Sequence, residues 1–309
     1  MEILNQEQGK EWAAYNGDCC EVIKQIPDNS VGYSIFSPPF ASLYVYSDAP
    51  EDMGNVRNEE EFYKHFSFLI KELYRVLKPG RSVSFHCMDI PMMKERDGNI
   101  GIKDFPGKLI RMFEDLGFIL HSKVVIWKDP LIEVTRTKSL GLQHKTLVKD
   151  SSMCRQGLPD YLITMRKPGE NKDPIAHAEG LTRYAGSGVI DIPRTSVKFS
   201  HNVWRKYASP VWMDIRQTHT LNERAARDEK DEKHLCPLQL DVIERGITLW
   251  SNPGDVVFTP FMGIGSEVYQ AVNLGRHGVG VELKPSYFAQ AVKNIRRAEE
   301  ERNSQVELF

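Results

Sequence analysis

Long apolar runs are missing from this sequence. Its 309 residues include no uninterrupted apolar stretch of about eighteen residues, the length that a membrane-spanning helix needs. The amino-terminal segment MEILNQEQGKEW has no basic region followed by an apolar stretch, so we expect no secretory signal. The sequence therefore argues against an integral membrane protein and against a secreted one.

Cysteine is scarce as well. The five cysteines, Cys19, Cys20, Cys87, Cys154 and Cys236, form no Cys-x-x-Cys pair. An odd number of cysteines without such a pair argues against a disulfide framework and against a zinc site. We therefore expect free thiols, no bound metal and a reducing, cytoplasmic environment.

The sequence has no internal repeat and little net charge, but its charges are unevenly distributed. The formal net charge is −2. Between Lys123 and Lys233, however, 20 lysines and arginines stand against 14 aspartates and glutamates, so a basic middle lies between acidic ends. Two interpretations stay open: contact with a polyanion such as nucleic acid, or a solvated, loop-rich insertion of mixed charge.

Strand-like and helix-like patterns alternate in two parts of the chain. In the first part, the predicted strands are 11–15, 31–36, 82–87 and 118–127, and the predicted helices are 58–77 and 103–116. In the last part, the strands are 255–259 and 278–282, and the helices are 237–250, 265–274 and 285–299. Such alternation is typical of a parallel sheet with crossover helices. We predict one doubly wound, Rossmann-like α/β sheet built from residues 1–128 and 234–309, with residues 129–233 inserted. Within the insertion, 160–166 is also predicted to be a strand.

A turn that contains two glycines follows the strand at 255–259. Gly263 and Gly265 would let the backbone approach a ligand, and the next helix offers free N–H groups at its N-terminus. The following strand ends in Glu282, where a carboxylate could bind a ribose diol. The turn lacks the longer Gly-x-Gly-x-x-Gly pattern and a Walker lysine. We therefore predict an adenosine cofactor without a polyphosphate, with an ordinary tight turn as the alternative.

The tetrapeptide Ser37-Pro38-Pro39-Phe40 follows the buried strand at 31–36, at the edge where open α/β sheets place their chemistry. Its prolines fix the backbone and bring no N–H of their own. The Ser37 hydroxyl and the Pro38 carbonyl can then accept both hydrogens of an exocyclic base amine, and Phe40 can stack on the base. This localises the nitrogen lone pair for attack on a sulfonium methyl group. A rigid loop without catalytic function is the alternative.

Taken in order, these motifs resemble a known family. The chain is similar to the DNA amino-methyltransferases of the permuted, beta-type order, with the catalytic tetrapeptide first, the target-recognition region in the middle and the cofactor loop last. The segments that carry the resemblance are Gly17-Asp18, PDNS at 27–30, SPPF at 37–40, RVLKPG at 75–80, RKPG at 166–169, HLCPLQL at 234–240, PFMGIGS at 260–266 and GRHGVGVEL at 275–283. They cover about residues 10–128 and 234–300.

The resemblance implies S-adenosylmethionine as the cofactor. The residues implied to surround it are Asp18, Cys19, His234, Pro237, Thr259, Phe261, Gly263, Gly265, Ser266 and Glu282. Among them, Asp18 would contact the adenine, the loop from Phe261 to Gly265 would line the methionine and ribose, and Glu282 would bind the ribose.

Thr259 departs from the family pattern, in which an aspartate usually precedes the Pro-Phe pair. If that carboxylate holds the ammonium group of the cofactor, then the affinity of this chain is lower or another acid replaces the aspartate. A catalytically impaired homologue that still binds DNA therefore stays an alternative to an active enzyme.

The resemblance also implies the reaction, which is site-specific methylation of an exocyclic base amine in duplex DNA, with the target base flipped into the pocket. A tetrapeptide that begins with serine is typical of cytosine-N4 enzymes, whereas adenine-N6 enzymes more often begin with Asp or Asn. We predict N4-methylcytosine as the product, with N6-methyladenine, or methylation of RNA or protein, as alternatives. A cognate restriction endonuclease is a candidate partner, and both a monomer and a homodimer are compatible with the sequence.

The inserted residues 129–233 would form the target-recognition domain. Their candidate contacts with phosphates or guanines are Arg136, Lys138, His144, Lys145, Lys149 and Arg155. Each could equally be an ordinary solvated side chain. The aromatic residues Trp204, Tyr207 and Trp212 are expected to pack inside the insertion, with stacking on bases as the alternative. Trp127 is expected to pack in the core.

Overall fold

A nine-stranded sheet dominates the computed structural model, which describes residues 3–39, 59–137, 141–152, 154–221 and 237–306. The strands are β1 (Asn5–Gln8), β2 (Trp12–Asn16), β3 (Val31–Phe36), β4 (Leu77–Cys87), β5 (Ile90–Met92), β6 (Gly101–Lys103), β7 (Ile119–Ile126), β8 (Asp160–Arg166), β9 (Val211–Trp212), β10 (Val256–Thr259) and β11 (His277–Glu282). The order in the large sheet is β1-β2-β11-β10-β3-β4-β8-β7-β9, and β5 pairs with β6 separately.

Helices connect most of these strands. They are α1 (Cys19–Val22), which continues into a 3-10 turn at Ile23–Gln25, α2 (Glu59–Val76), α3 (Lys94–Asp97), α4 (Phe105–Asp115), α5 (Pro130–Thr137), α6 (His144–Lys149), α7 (Val197–Tyr207), α8 (Leu240–Trp250), α9 (Ser266–Asn273) and α10 (Pro285–Val306). The prediction of a doubly wound α/β sheet is confirmed.

The two ends of the chain interleave within the sheet. β10 and β11, from the last part of the chain, lie between β2 and β3 from the first part, and all neighbouring pairs from β2 to β4 are parallel. Because parallel strands end at the same edge of a sheet, the carboxyl ends of these five strands meet along one line. This catalytic edge, as we call it, is where both predicted motifs begin.

The predicted insertion contributes to this sheet as well. β8 pairs antiparallel with β4 on one side and with β7 on the other, and β9 adds to the outer side of β7. The amino end of β8 therefore lies at the catalytic edge, beside the carboxyl ends of β4 and β7. Residues 129–233 thus provide two strands of the central sheet in addition to α5, α6 and α7.

Local sequence patterns explain the core on one side of the sheet. In α2, the side chains of Phe62, Phe66, Leu69 and Leu73 recur at helical spacing and are all buried. They pack against β3, whose six residues are all buried. Pro79-Gly80, which the sequence suggested as the end of this helix, instead lies inside β4, because that strand begins directly after α2 at Leu77.

A buried ion pair joins the two parts of the chain. Arg81 of β4 is 1% exposed, and its Nη1 lies 2.9 Å from Oδ2 of Asp255, just before β10. The same guanidinium donates to the side chain of Asn171 and to the carbonyl of Asp173. A buried charge that loses its partner typically costs about 3–5 kcal/mol, so this pair fixes β10 against β4 across the intervening β3.

Among the described residues, no helix has both the length and the apolar character needed to cross a membrane. The cysteines in the described part of the chain, Cys19, Cys20, Cys87 and Cys154, are free thiols, and Cys236 lies outside the described residues.

Candidate functional site

The catalytic edge brings the two predicted motifs together. Glu282, the last residue of β11, is paired with Asn16 at the end of β2. Asp18 follows two residues after Asn16 and therefore lies at the same edge of the sheet. Thr259 ends β10, which is the direct neighbour of β3, and Ser37 follows β3. The glycine turn and the Ser-Pro-Pro segment therefore start from adjacent strand ends, although more than two hundred residues separate them in the chain.

The Glu282 carboxylate is held by backbone groups on both sides. Its Oε2 accepts a hydrogen bond from the N–H of Gly263 at 2.8 Å, and its Oε1 accepts one from the N–H of Lys284 at 2.8 Å. The Glu282 carbonyl accepts from Gly17 and from the side chain of Asn16. These backbone bonds orient the Glu282 carboxylate at the end of β11.

The two glycines of the turn are required for different reasons. Gly263 has φ +54, and a side chain added there would meet no atom within 4 Å, so its surface faces open space. Gly265 has φ +92, and an added Cβ would lie 3.1 Å from the Cβ of Ala291 on α10. Gly263 therefore leaves space for a ligand, whereas Gly265 allows α9 to start close against α10.

Phe261 links the glycine turn to the strand that carries Ser37. Its ring centroid lies 5.7 Å from that of Phe36 and 6.4 Å from that of Phe66. Phe36 is the residue immediately before Ser37. The predicted contact of Phe261 with a cofactor is thus accompanied by a structural contact that fixes the distance between the two loops.

Asp18 begins the short helix α1 as its N-cap. Its Oδ1 accepts from the N–H of Cys20 at 2.9 Å. Cys19 is buried, and its side-chain contact with Cys20 together with burial raises the pKa of the Cys19 thiol. Within the described chain, Asp18, Cys19 and Cys20 are the group that brings three possible metal-ligand atoms within 4.8 Å.

Thr259 has a buried hydroxyl that is left unsatisfied. The residue is 0% exposed, and Oγ1 has no hydrogen-bond partner in the described part of the protein. Gln239, two residues after Pro237, has an equally unsatisfied buried Oε1. Buried polar atoms nearly always have partners, so an unpaired hydroxyl at the end of β10 fits a ligand that supplies one. Together with the open space at Gly263, it fits a nucleoside cofactor.

Glu267 is a buried acid next to the glycine turn, at a position that was not among the predicted site residues. It lies in the first turn of α9 and is 4% exposed. Burial, together with the negative charge of Glu282, raises the pKa of Glu267 to about 8. The available signal was a glutamate among the apolar positions Ile264, Val268 and Ala271 of a helix that packs on the core.

Ser37 is in contact with a histidine from the next strand. Its Oγ lies 3.3 Å from Nδ1 of His86, near the end of β4. His86 Nε2 lies 3.2 Å from Oδ2 of Asp160, at a poor angle for a hydrogen bond, so this contact is chiefly electrostatic. Lys128, just after β7, contacts the other oxygen of Asp160. No sequence motif joins these three residues, because they come from three separate strands or strand ends.

The charge of Asp160 is set by these neighbours. The residue is 4% exposed, and burial alone would raise its pKa. The electrostatic interactions and hydrogen bonds with His86 and Lys128 outweigh burial and lower the pKa of Asp160 to about 2. Asp160 is therefore an ionised carboxylate at neutral pH. Only the His86 side chain separates it from the Ser37 hydroxyl.

The remaining predicted site residues are placed as follows. Pro38 is buried, whereas Pro39 and Pro237 are half-buried. Ser266 is buried at the start of α9. Phe40 and His234 lie outside the described residues.

In the predicted recognition region, Arg155 forms a structural ion pair. Its Nη2 lies 2.9 Å from Oε1 of Glu133, which is 2% exposed, so this arginine is committed to the fold. His144, Lys145 and Lys149 lie exposed on α6. Lys138 and the side chain of Arg136 lie outside the described residues.

The aromatic residues divide into buried and exposed ones. Tyr207 and Trp212 are buried as expected, and the Trp212 indole donates to the Tyr207 carbonyl at 3.1 Å. Trp204 is 57% exposed. The expectation that Trp127 packs in the core is wrong: this residue is 44% exposed, because β7 has already reached the catalytic edge where it occurs.

Comparison with known proteins identifies relatives of this chain. The model of the DNA methylase family of the N6/N4 type matches residues 32–293. The chain is 26% identical over 292 residues to the type II methyltransferase M.BglII of Bacillus subtilis, and the matched region covers 94% of this chain and 70% of the relative. It is 26% identical over 272 residues to the type II methyltransferase M.BamHI of Bacillus amyloliquefaciens, and the matched region covers 87% of this chain and 54% of the relative.

Solved structures show the same fold. A DNA modification methylase from Thermus thermophilus, in complex with S-adenosyl-L-methionine, matches with a TM-score of 0.63 and 21% identity over 92% of this chain and 94% of that one. The cytosine-N4-specific PvuII DNA methyltransferase matches with a TM-score of 0.65 and 16% identity over 98% of this chain and 95% of that one. At these identities the likeness establishes the architecture.

Proposed function

The chain belongs to the N6/N4 family of S-adenosylmethionine-dependent DNA methyltransferases, and we propose that it methylates the N4 amine of cytosine in duplex DNA. The observation that carries this proposal is the position of Ser37. Its hydroxyl lies at the end of β3, beside the strand that leads into the glycine turn. A serine at the head of the tetrapeptide, in place of Asp or Asn, favours cytosine over adenine.

In this proposal the Ser-Pro-Pro segment activates the amine. The amine nitrogen of a base is a poor nucleophile because its lone pair is delocalised into the ring. The Ser37 hydroxyl and the Pro38 carbonyl accept its two hydrogens and hold the nitrogen close to tetrahedral geometry. Orientation of this kind, in a site that excludes water, supplies most of the acceleration.

Residues at the ends of β2, β10 and β11 hold the cofactor. When bound, S-adenosylmethionine supplies an electrophilic methyl group on a sulfonium sulfur. Glu282 binds the ribose hydroxyls, and Asp18 lies at the same edge of the sheet for the adenine. The turn from Phe261 to Gly265, with Cys19, Pro237 and Ser266 around it, completes the pocket. Thr259 offers its unsatisfied hydroxyl where the family usually has a carboxylate.

We assign residues 129–233 to target recognition. Two lysines on α6 and the tryptophans at 127 and 204 expose basic and aromatic surface of the kind that binds phosphates and stacks on bases. The target base reaches Ser37 by flipping out of the duplex, at an unstacking cost of about a few kcal/mol. As in the type II systems of its relatives, a restriction endonuclease is the proposed partner.

The product of the reaction tests the base. The protein is incubated with S-adenosylmethionine and DNA from a methylase-deficient bacterial strain, and the DNA is then digested to nucleosides for mass spectrometry. We expect N4-methylcytosine. N6-methyladenine would replace the base assignment, and label found in RNA or protein but not in DNA would overturn the proposal.

Two variants and one binding measurement complete the test. Ser37→Ala should lose most of the product, whereas Ser67→Ala, on the solvent side of α2, should keep it. Calorimetric titration with S-adenosylmethionine separates an active enzyme from an impaired homologue. DNA binding without cofactor binding is the result expected of the impaired homologue.

A further inference from the structure

A line of side chains leads from the Ser37 hydroxyl into the sheet. Ser37 Oγ lies 3.3 Å from His86 Nδ1, and His86 Nε2 lies 3.2 Å from a carboxylate oxygen of Asp160. Lys128 contacts the second oxygen of that carboxylate. His86 and Asp160 are 9% and 4% exposed, so the line is largely shielded from solvent. Nothing in the proposed amine activation uses any residue behind Ser37.

The strand register explains why these side chains share a face. Phe36 is paired with Phe85, so Ser37 and His86, the next residues, lie side by side. His86 is paired with Leu162, two residues from Asp160, and Asp160 is paired with Ile126, two residues from Lys128. Side chains two residues apart in a strand point to the same face. The four groups are therefore fixed by backbone pairing across four adjacent strands.

The ionised Asp160 determines how the hydrogens are arranged along this line. The negative charge of Asp160 beside Nε2 favours the imidazole tautomer that carries its hydrogen on that nitrogen. In that tautomer Nδ1 is an acceptor, and the Ser37 hydroxyl donates to it. The lone pairs of Ser37 Oγ are then left to accept from the amine of the base. His86 thus makes Ser37 an acceptor toward the substrate.

Methyl transfer also leaves a proton to be removed. As the amine nitrogen bonds to the methyl carbon, the carbon–sulfur bond breaks, its electron pair stays on sulfur, and the nitrogen becomes cationic until it loses one hydrogen. We propose that this proton passes to Ser37 Oγ while the Ser37 hydrogen passes to Nδ1 of His86, giving an imidazolium that Asp160 stabilises. The imidazolium later releases the proton to solvent. This relay rests on the proposed function, because the amine must be held at Ser37.

Other charged groups near this face are already paired. α8, which packs on the same face, carries Asp241 and Arg245. Asp241 is bound by Arg216 and His219, and Arg245 is bound by Asp214. On the far side of β4, Asp89 accepts from the Tyr161 hydroxyl at 3.3 Å. His86 is therefore the titratable group that contacts Ser37 in the described part of the chain. It acts through Ser37, as a positioning residue.

The pH dependence of a single turnover tests the relay. Enzyme saturated with labelled S-adenosylmethionine is mixed with a limiting amount of DNA from a methylase-deficient strain, from about pH 5.5 to 9. We expect the wild-type rate to fall toward acid pH, where a protonated imidazole accepts nothing. His86→Gln should lower the rate at pH 8 by about 100-fold and abolish the acid fall. His121→Gln, near the opposite end of β7, is the matched control and should keep rate and profile.

A double variant makes the test specific to Ser37. Because His86 acts through the serine, Ser37→Ala combined with His86→Gln should be no slower than Ser37→Ala alone. Cofactor affinity, measured by calorimetry, should be unchanged in His86→Gln. If His86→Gln does not fold, the pH dependence of the single-turnover rate of Ser37→Ala is the test, because that rate should also not fall toward acid pH.

Failure of the relay and failure of the proposed function would give different results. An acid fall that persists in Ser37→Ala or in His86→Gln, or single effects that multiply in the double variant, would overturn the relay. Wild-type protein that transfers no methyl group to DNA would instead overturn the proposed function.

Discussion

Two buried carboxyl groups lie on opposite sides of the catalytic edge, and each is 4% exposed. Beside the glycine turn, burial and the nearby Glu282 raise the pKa of Glu267 to about 8. Behind Ser37, burial is outweighed by His86 and Lys128, which lower the pKa of Asp160 to about 2. Equal burial therefore gives opposite protonation states at neutral pH, and the neighbouring side chains make the difference.

The difference fits what each side has to do. An uncharged acid can lie buried next to the glycine turn without a cation beside it. A permanent carboxylate behind Ser37 can orient and stabilise an imidazole. Pairs of titratable groups whose environments separate their pKa values are common at catalytic sites. The following variants break this contrast or sharpen it, beginning with the largest expected effect.

Removing Asp160 should have the largest effect on stability. Asp160→Ala leaves the half-buried Lys128 without its counter-charge and removes the contact with His86, so the free energy of unfolding at pH 7 should fall by about 3–5 kcal/mol. Urea unfolding measures this, and Asp150→Ala, at an exposed position, is the control. Because the pKa of Asp160 is lowered on folding, its contribution should vanish as pH falls through about 4 toward 2. A loss that does not shrink in acid would contradict the assigned charge.

Glu267→Gln should change the pH dependence of stability in the opposite sense. A raised pKa means that the folded protein holds a proton which the unfolded chain releases above about pH 4.5, so stability falls as pH rises toward 8. At about 1.4 kcal/mol per unit, the wild-type protein should lose roughly 3 kcal/mol between pH 5 and 8 from this residue. Chemical unfolding at both pH values should show a smaller loss in the variant. Equal losses would mean that Glu267 is ionised in the fold.

Lys128→Met should shift the pKa of Asp160 upward, toward that of Glu267. The charge of Lys128 is removed while the apolar length of the side chain is kept, so the pKa of Asp160 should rise and the free energy of unfolding should fall by about 2 kcal/mol. Carbon-13 NMR of the labelled carboxyl group measures this titration. Lys145→Met, on the exposed face of α6, is the control. An unchanged Asp160 titration would show that His86 alone sets the charge.

The smallest effect on stability is expected from Thr259→Val. The hydroxyl has no partner, so an isosteric apolar group should change the free energy of unfolding by at most about 1 kcal/mol. If the hydroxyl binds the cofactor, however, affinity for S-adenosylmethionine should fall by up to about tenfold. Calorimetric titration measures this. Unchanged affinity would remove Thr259 from the proposed pocket.

Predictions from the sequence succeeded where the information was local. β3 was predicted with its observed bounds, and α2 within one residue at each end, because a buried strand and an amphipathic helix carry their own periodicity. The same patterns placed β10, β11 and the turn between β10 and α9. β8 was also predicted as a strand, but not as the neighbour of β4. Its position depends on pairing with residues far away in the chain.

The order of the motifs, the strand–turn–helix around Gly263 and Gly265, and the serine at the start of the tetrapeptide are written in the amino-acid sequence. They were enough to indicate the fold, the cofactor and the family. The tertiary structure alone brought His86, Asp160 and Lys128 into line behind Ser37, buried Glu267 with no paired cation among the described residues, and exposed Trp127. The physical reason is that burial, charge state and hydrogen-bond partners depend on which strands lie side by side, and strand pairing is a property of the whole folded chain.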